Sequence, residues 1–260
     1  MAVRPLLRPG SAVLRRDAQH LQIGTTPGVI VRDDPGAAAV LRHADGVRVA
    51  EELADIAERE GSTHGAELVA ELIARGALVV ASLGGKRPRV DIRHDLGCAR
   101  FAQVLRALLA DDAVFAEGPQ ALIVAATVGE PARTAFRAMS DHRIAHLPVA
   151  LLDDKARVGP LVLPGHTPCL DCFDLQQSTT DPHWPALVTQ FGVARPSRVG
   201  ASAAALGLAA AEIARAVAEL DAGNTPHLAG RTVLLGPAPT QAVASAVRFH
   251  HRCGCHLLAA

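Results

Sequence analysis

Tyrosine is absent from this 260-residue chain, tryptophan occurs once, and aromatic residues make up 3%. Surfaces that stack nucleic-acid bases are built from such rings, so this mode of binding is not expected. Net charge is missing too, since 26 basic residues meet 26 acidic ones. No single-sign field is left to attract DNA, RNA or anionic lipid, and neither a nucleic acid nor a membrane is expected as a partner. Lysine is nearly absent: Lys86 and Lys155 are the only two, so any nucleotide chemistry would have to draw its positive charge from arginine. Long apolar runs are lacking as well. Arg4, Arg8, Arg15 and Arg16 interrupt the N-terminal stretch, which leaves no signal-peptide core. Val199 to Ala211, closed by Arg198 and Glu212, falls short of the ~18 residues a membrane span needs. The expectation is a cytoplasmic protein, in a compartment that keeps thiols reduced.

What is there is ample material for a core. Hydrophobic residues reach 49% and charged ones 20%, as in soluble globular proteins, with Ala, Val and Leu in place of the missing rings. The length suits one small and one medium domain. Ser11–Arg15, Leu21–Thr25 and Val29–Val31 read as a three-stranded meander, with Pro27-Gly28 marking a turn. Helical periodicity follows from Pro35 to Leu41, from Val47 to Glu60 and from His64 to Ala74, where Gly76 is a C-terminal stop. Ala77–Ala81 returns as a strand. This is the outline of a small winged-helix-like α+β domain over residues 1–81. Ser82 to Pro88, with Gly84-Gly85-Lys86 at its centre, suits a linker.

Beyond it, the alternation of Val90–Arg93, Ala99–Leu109, Ala121–Ala126, Pro131–Asp141 and Leu147–Leu152 predicts an α/β domain with a parallel sheet over residues 82–260. Asp153-Asp154-Lys155 turns into a strand at Val158–Leu163, which adds an antiparallel hairpin. Ser202–Leu220 is an alanine-rich helix, and Arg231–Leu235 and Gln241–Phe249 close the sheet.

Four of the five cysteines form two close pairs: Cys169-Leu170-Asp171-Cys172, after a Pro164–Pro168 loop, and Cys253-Gly254-Cys255. Four thiolates of this kind suit one tetrahedral structural zinc ion, which would tie the second pair to the middle of the domain. Other readings stand beside it. A Cys-x-x-Cys is also a redox pattern, though that version opens a helix rather than ending a loop. Cysteines also serve as small core residues, the reading that suits the lone Cys98. His250, His251 or His256 can replace one sulfur. His142, His146 and His183 lie near no nucleophile motif and read as solvated or core side chains. Trp184 reads as a core residue or an anchor under the cysteine loop.

The stretch from Val158 through Pro164-Gly165-His166-Thr167-Pro168 to Cys172, with Asp181-Pro182-His183-Trp184-Pro185, resembles the ThiF-like proteins of the ubiquitin-activating superfamily. More narrowly, it is similar to those encoded with YcaO cyclodehydratases for thiazole/oxazole-modified peptides, where a Cys-Gly-Cys also recurs. Ala44 to Leu53 resembles the winged-helix peptide clamps of that group. The resemblance implies a peptide-clamp domain, a Rossmann-like ThiF-type domain with zinc, and as partners a precursor peptide, a YcaO-type enzyme and a second copy in a homodimer. It transfers no catalytic residue. Active members need a Gly-x-Gly-x-x-Gly turn that brings backbone N–H groups to phosphate, and Gly84-Gly85-Lys86, followed by Arg87-Pro88, does not supply one. The domain reads as truncated, ATP is not expected, and the implied function is a non-catalytic scaffold that presents a precursor peptide to the cyclodehydratase. The alternative is a divergent ATP-dependent adenylating or sulfur-transfer enzyme of the ThiF/MoeB type. Peptide binding is expected by strand addition beside Val29, Ile30 and Val31, with Leu68 and Leu72 of the third helix lining the groove.

Overall fold

The computed structural model describes residues 3–26, 28–80, 87–118, 121–194 and 200–255. Residues 82–86 of the expected linker, Pro27 of the first turn and His256 lie outside them. The chain divides into two compact units, Met1–Gly85 and Lys86–Ala260.

In the first unit, β2 (Val13–Arg15), β3 (His20–Ile23) and β4 (Val29–Arg32) form the expected antiparallel meander. A strand not foreseen, β1 (Pro5–Leu7), precedes it. Asp34 begins α1 (Pro35–His43): its carboxylate accepts the Ala37 N–H at 2.9 Å, and proline occupies the first helical position, where no N–H is needed. In α2 (Ala50–Arg59), Glu52 reaches back to accept the N–H of Val49 at 3.0 Å. The first residue of α3 (Gly65–Ala74) must be glycine, because a Cβ there would lie 2.4 Å from the Ala54 carbonyl oxygen of α2. At its end, Gly76 takes φ 73°, donating to Ile73 O while Ala77 donates to Leu72 O, both at 2.9 Å. That is the Schellman pattern which stops a helix. The returning strand β5 (Leu78–Val80) pairs with β1, not with the meander. Ile23, Val40, Leu53, Leu72 and Leu78 form the core of the unit.

The second unit is built on β6 (Arg89–His94), α4 (Ala99–Leu108), β7 (Val114–Phe115), β8 (Leu122–Val128), α5 (Arg133–Asp141), β9 (His146–Leu152) and β10 (Lys155–Val158). Three helices, α6 (Leu170–Thr180), α7 (Trp184–Ala194) and α8 (Ala203–Asp221), and two strands, β11 (Arg231–Leu235) and β12 (Val243–Ala246), follow. The seven strands lie in the order β12-β11-β10-β9-β8-β6-β7. Pairings from β7 to β9 are parallel and those from β9 to β12 antiparallel. The hairpin turns on Asp153-Asp154 alone, so β10 starts at Lys155 and ends at Val158, earlier than the expected Val158–Leu163. Gly159, at φ 96°, closes the strand where a Cβ would meet the Arg231 carbonyl oxygen at 2.4 Å.

One face of this sheet packs on α4 and α8. Ala205, Ala209, Ala210 and Ala216 are fully buried there, and their small side chains bring the α8 backbone close to the strands. Ser202 caps α8 by accepting the Ala205 N–H at 3.1 Å. The opposite face carries α5 and α6, with Ile123, Phe136, Met139 and Phe173 packed around the cysteines. Among the described residues no helix is long and apolar enough to cross a membrane.

Candidate metal centre

Thr167 shapes the loop before the first cysteine pair. Its hydroxyl accepts the Leu163 N–H at 2.7 Å and donates to Leu161 O at 3.0 Å. The chain then enters α6 with Cys169 as the residue before the first turn and Cys172 three positions on, which puts both sulfurs on one side of the helix start. The loop was expected to separate the pair from any helix; instead the pair opens one. The second pair is brought in by the segment after β12. Val247 donates to Gly230 O at 2.8 Å, Arg248 donates to the Gln176 side-chain oxygen of α6 at 2.8 Å, and a turn from His250 to Cys253 closes at 2.9 Å.

The result is a cluster of four sulfurs within 4.8 Å of one another. Cys169 lies 3.5 Å from Cys253, and Cys172 lies 3.4 Å from Cys255. A disulfide needs about 2.05 Å, so these are thiols. Sulfurs at the corners of a tetrahedron around zinc, with Zn–S of about 2.3 Å, stand about 3.8 Å apart, within the range found here. The electrostatics point the same way. A hydrogen bond with Cys172, together with burial, pushes the Cys169 thiol far above its ordinary value. Burial, and the neighbouring Cys169, push Cys255 up to about 12. Ionising one buried sulfur beside another is costly unless a cation neutralises both, and a divalent ion reverses that cost. The four cysteines can therefore hold a metal ion such as zinc. Four thiols around one point also argue against the redox reading, now that a helix start no longer does.

The histidines lie outside this set. His250 contributes its backbone N–H to the Cys172 sulfur at 3.4 Å, while its ring stacks on His251 at 4.5 Å. His146 is fully buried, edge-on to Phe136, and burial lowers its pKa. His142 and His183 are exposed. Cys98 is a fully buried core residue.

A charged network that the sequence reading did not anticipate lies beside the cysteines. Arg157 of β10 grips both oxygens of Glu130 at 2.6 and 2.7 Å. Arg133 of α5 bridges Glu130 at 3.0 Å and both oxygens of Asp174 on α6 at 2.7 and 2.8 Å. Asp174 also accepts Trp184 Nε1–H at 2.8 Å, which fixes α7. Burial works to raise the Glu130 carboxyl, but the two guanidinium groups outweigh it and hold it below its usual range. No motif marks these residues; only the pairing of charges from β10, α5, α6 and the turn after β8 does.

The turn between β6 and α4 lies at residues 94–99, and Gly84-Gly85-Lys86 lies outside the described residues. There Asp95 accepts the Cys98 N–H at 3.1 Å with one oxygen and the Val128 N–H at 2.7 Å with the other. The Asp95 carboxylate thus caps the short turn before α4 and ties it to the end of β8.

In the first unit, Val29, Ile30 and Val31 lie in β4, whose outer edge pairs with no strand among the described residues. The Arg75 guanidinium donates to the Ile30 carbonyl. Val31 and Leu72 point into the core, while Ile30 is exposed and Leu68 is partly buried.

No family model and no curated protein matches this chain. Solved structures do. The heterocyclase TruD superposes with a TM-score of 0.69 at 17% identity, over 97% of this chain and 42% of its own. A chain of the E. coli microcin synthetase McbBCD complex with pro-MccB17 bound gives 0.61 at 14%, over 97% of this chain and 99% of its own. E. coli MccB with MccA gives 0.56 at 12%, over 97% and 99%. The likeness is one of fold. This chain spans about two fifths of the heterocyclase chain.

Proposed function

We propose that this protein is a zinc-containing, non-catalytic scaffold of the ThiF-like kind that binds a precursor peptide and presents it to a YcaO-type cyclodehydratase. The observation that carries the reading is the four-thiol cluster, set in a fold shared across 97% of the chain with a heterocyclase and with a microcin synthetase. A closed set of four ligands leaves no open position for substrate or activated water, so the ion's role is structural. The β6–α4 turn reads His94-Asp95-Leu96-Gly97-Cys98-Ala99, without the Gly-x-Gly-x-x-Gly that brings backbone to phosphate, which supports a scaffold over an adenylating or sulfur-transfer enzyme.

In this reading the first unit is the peptide clamp. The precursor adds a strand beside Val29-Ile30-Val31 and lays side chains toward Leu68, with Leu72 supporting the groove from below. The partners are the precursor, the cyclodehydratase and a second copy of the chain. The test is reconstitution: heterocycle formation by the YcaO-type enzyme should require this chain, and Ile30→Pro, checked for folding, should abolish precursor binding. Pyrophosphate exchange into ATP by the isolated protein would replace the scaffold with the adenylating alternative.

A further inference from the structure

The outer edge of β4 is less open than its place in the sheet suggests. Asp33 donates to Gln19 O at 2.7 Å across the β3–β4 ladder, whose register sets Ile30 against Gln22 and Arg32 against His20. Hydrogen-bonded pairs alternate along an antiparallel ladder, so Val29, Val31 and Asp33 are the residues directed at β3. Ile30 and Arg32 therefore turn their N–H and C=O groups outward. Both of those carbonyls are already engaged. The Arg32 carbonyl accepts the Asp34 N–H at 3.1 Å, and the Ile30 carbonyl accepts the Arg75 guanidinium. What β4 still offers an incoming strand is two N–H donors and no unengaged acceptor.

Arg75 is placed to be displaced. It follows α3 as the residue after its last turn, and its side chain is 44% exposed. Its other partner among the described residues is Glu71, one turn back, at 2.9 Å. A neutral strand that reaches Ile30 O exchanges a charge-assisted hydrogen bond for an ordinary one, which is a loss at that position. A strand with a carboxylate beside Ile30 recovers it, because the released guanidinium closes on that carboxylate as a two-pronged pair. The surrounding charge has the matching sign. Arg32 is exposed, and its side chain makes no hydrogen bond or ion pair among the described residues. The nearby acids are engaged: Asp33 pairs with Arg15 at 2.6 Å, Asp34 caps α1 and Glu71 holds Arg75. Glu67 sits about two turns before Arg75 on α3.

We propose that Arg75 is the specificity-determining residue of the β4 edge: it closes the edge to neutral strands by occupying Ile30 O, and admits an extended peptide segment that carries an acidic side chain beside Ile30. The inference rests on the clamp reading of the first unit and names the class of segment that the clamp takes.

The test uses the full chain and the labelled precursor peptide, followed by fluorescence anisotropy. Two further forms of the peptide carry the corresponding amides, or lysine, in place of every Asp and Glu. The native chain should bind the acidic form about tenfold more tightly than the amide form, the worth of one charge-assisted hydrogen bond. Arg75→Ala removes both the latch and the cation. It should bring these two forms within about twofold of each other by tightening the amide form, with thermal unfolding and metal content unchanged. Arg75→Glu should invert the order, so that the lysine form binds more tightly than the acidic one, a reversal that a merely structural role for Arg75 does not produce. Acidic and amide forms that bind the native chain equally, or a preference that survives in Arg75→Ala, would overturn the assignment and leave the clamp standing. A precursor that binds while lacking Asp and Glu altogether would overturn it as well. A native chain that binds none of the three forms would overturn the scaffold reading and this inference with it.

Discussion

The two faces of the seven-stranded sheet are built from different materials. Against α4 and α8 the strands bury hydrocarbon and the thiol of Cys98. Against α5, α6 and α7 the same strands hold four clustered thiols, three of them buried, the buried Glu130 with the half-buried Asp174, two buried guanidinium groups and a fully buried histidine. The first face is held by the non-directional gain of removing apolar surface from water, and it tolerates exchange of one aliphatic residue for another. The second depends on partners at set distances, and loses disproportionately when one is removed. The cysteine cluster and the Glu130 network thus lie on one side of the sheet, and the other side, where α8 also holds His227 between Glu212 and Glu219, serves as its backing.

The largest effect that would break this contrast is expected at the sulfur cluster. Cys172→Ser or Cys253→Ser should abolish stoichiometric zinc, read by elemental analysis, and cost on the order of 5 kcal/mol of stability, because metal-binding free energy is also folding free energy. Purified protein without metal, unfolding at the same temperature as these variants, would remove the cluster from the account. Next comes the charge network. Glu130→Ala strands the buried Arg157 guanidinium, while Arg133 keeps Asp174, and should cost about 3–5 kcal/mol in chemical denaturation.

The same carboxylate supplies a pH signature. Its pKa is lowered in the folded chain, so its contribution is complete above the unfolded value of about 4.3 and declines as pH falls through the lower folded value. Glu130→Gln should flatten that acid limb of the stability profile; an unchanged profile would show that Glu130 is not responsible for it.

On the hydrocarbon face, Ile213→Ala should cost about 2–4 kcal/mol through the cavity it leaves, with zinc content unaltered. Loss of zinc in that variant would show that the two faces are coupled rather than independent. The smallest effect is expected at the cap of α8, where Ser202→Ala gives up one hydrogen bond for about 1 kcal/mol.

These two faces also differ in how far the sequence reveals them. The backing face follows from periodicity: β6, α4, β8, β9 and α8 lie within a few residues of their expected positions because apolar spacing alone specifies them. In the first unit β1 escaped, since three residues with a proline among them show no alternation, and it is a strand only because β5 pairs with it. The cysteine pairs announced their cluster through spacing. The helix they open did not show, because α6 buries Leu170, Cys172 and Phe173 in its first turn and then runs polar, without a stripe to read. For α7 a local signal existed in Pro185, a residue suited to a first helical turn. Glu130, Arg133, Arg157 and Asp174 were illegible for a different reason. Each is an ordinary charged residue until the fold brings β10, α5, α6 and the turn after β8 together.

Joining Cys169 to Cys253 across 84 positions also has a consequence for the order of events at the ribosome. Synthesis proceeds at about 5–20 residues per second, so the first two thiols wait about 4–17 seconds for the second pair. Throughout that interval the nascent chain carries half of the cysteine cluster, and at its start all of α8 and β11 are still to come. The metal can be enclosed only after translation has passed Cys255. A premature stop between Ala246 and Cys253 therefore yields a chain that has all the strands described and lacks the second cysteine pair.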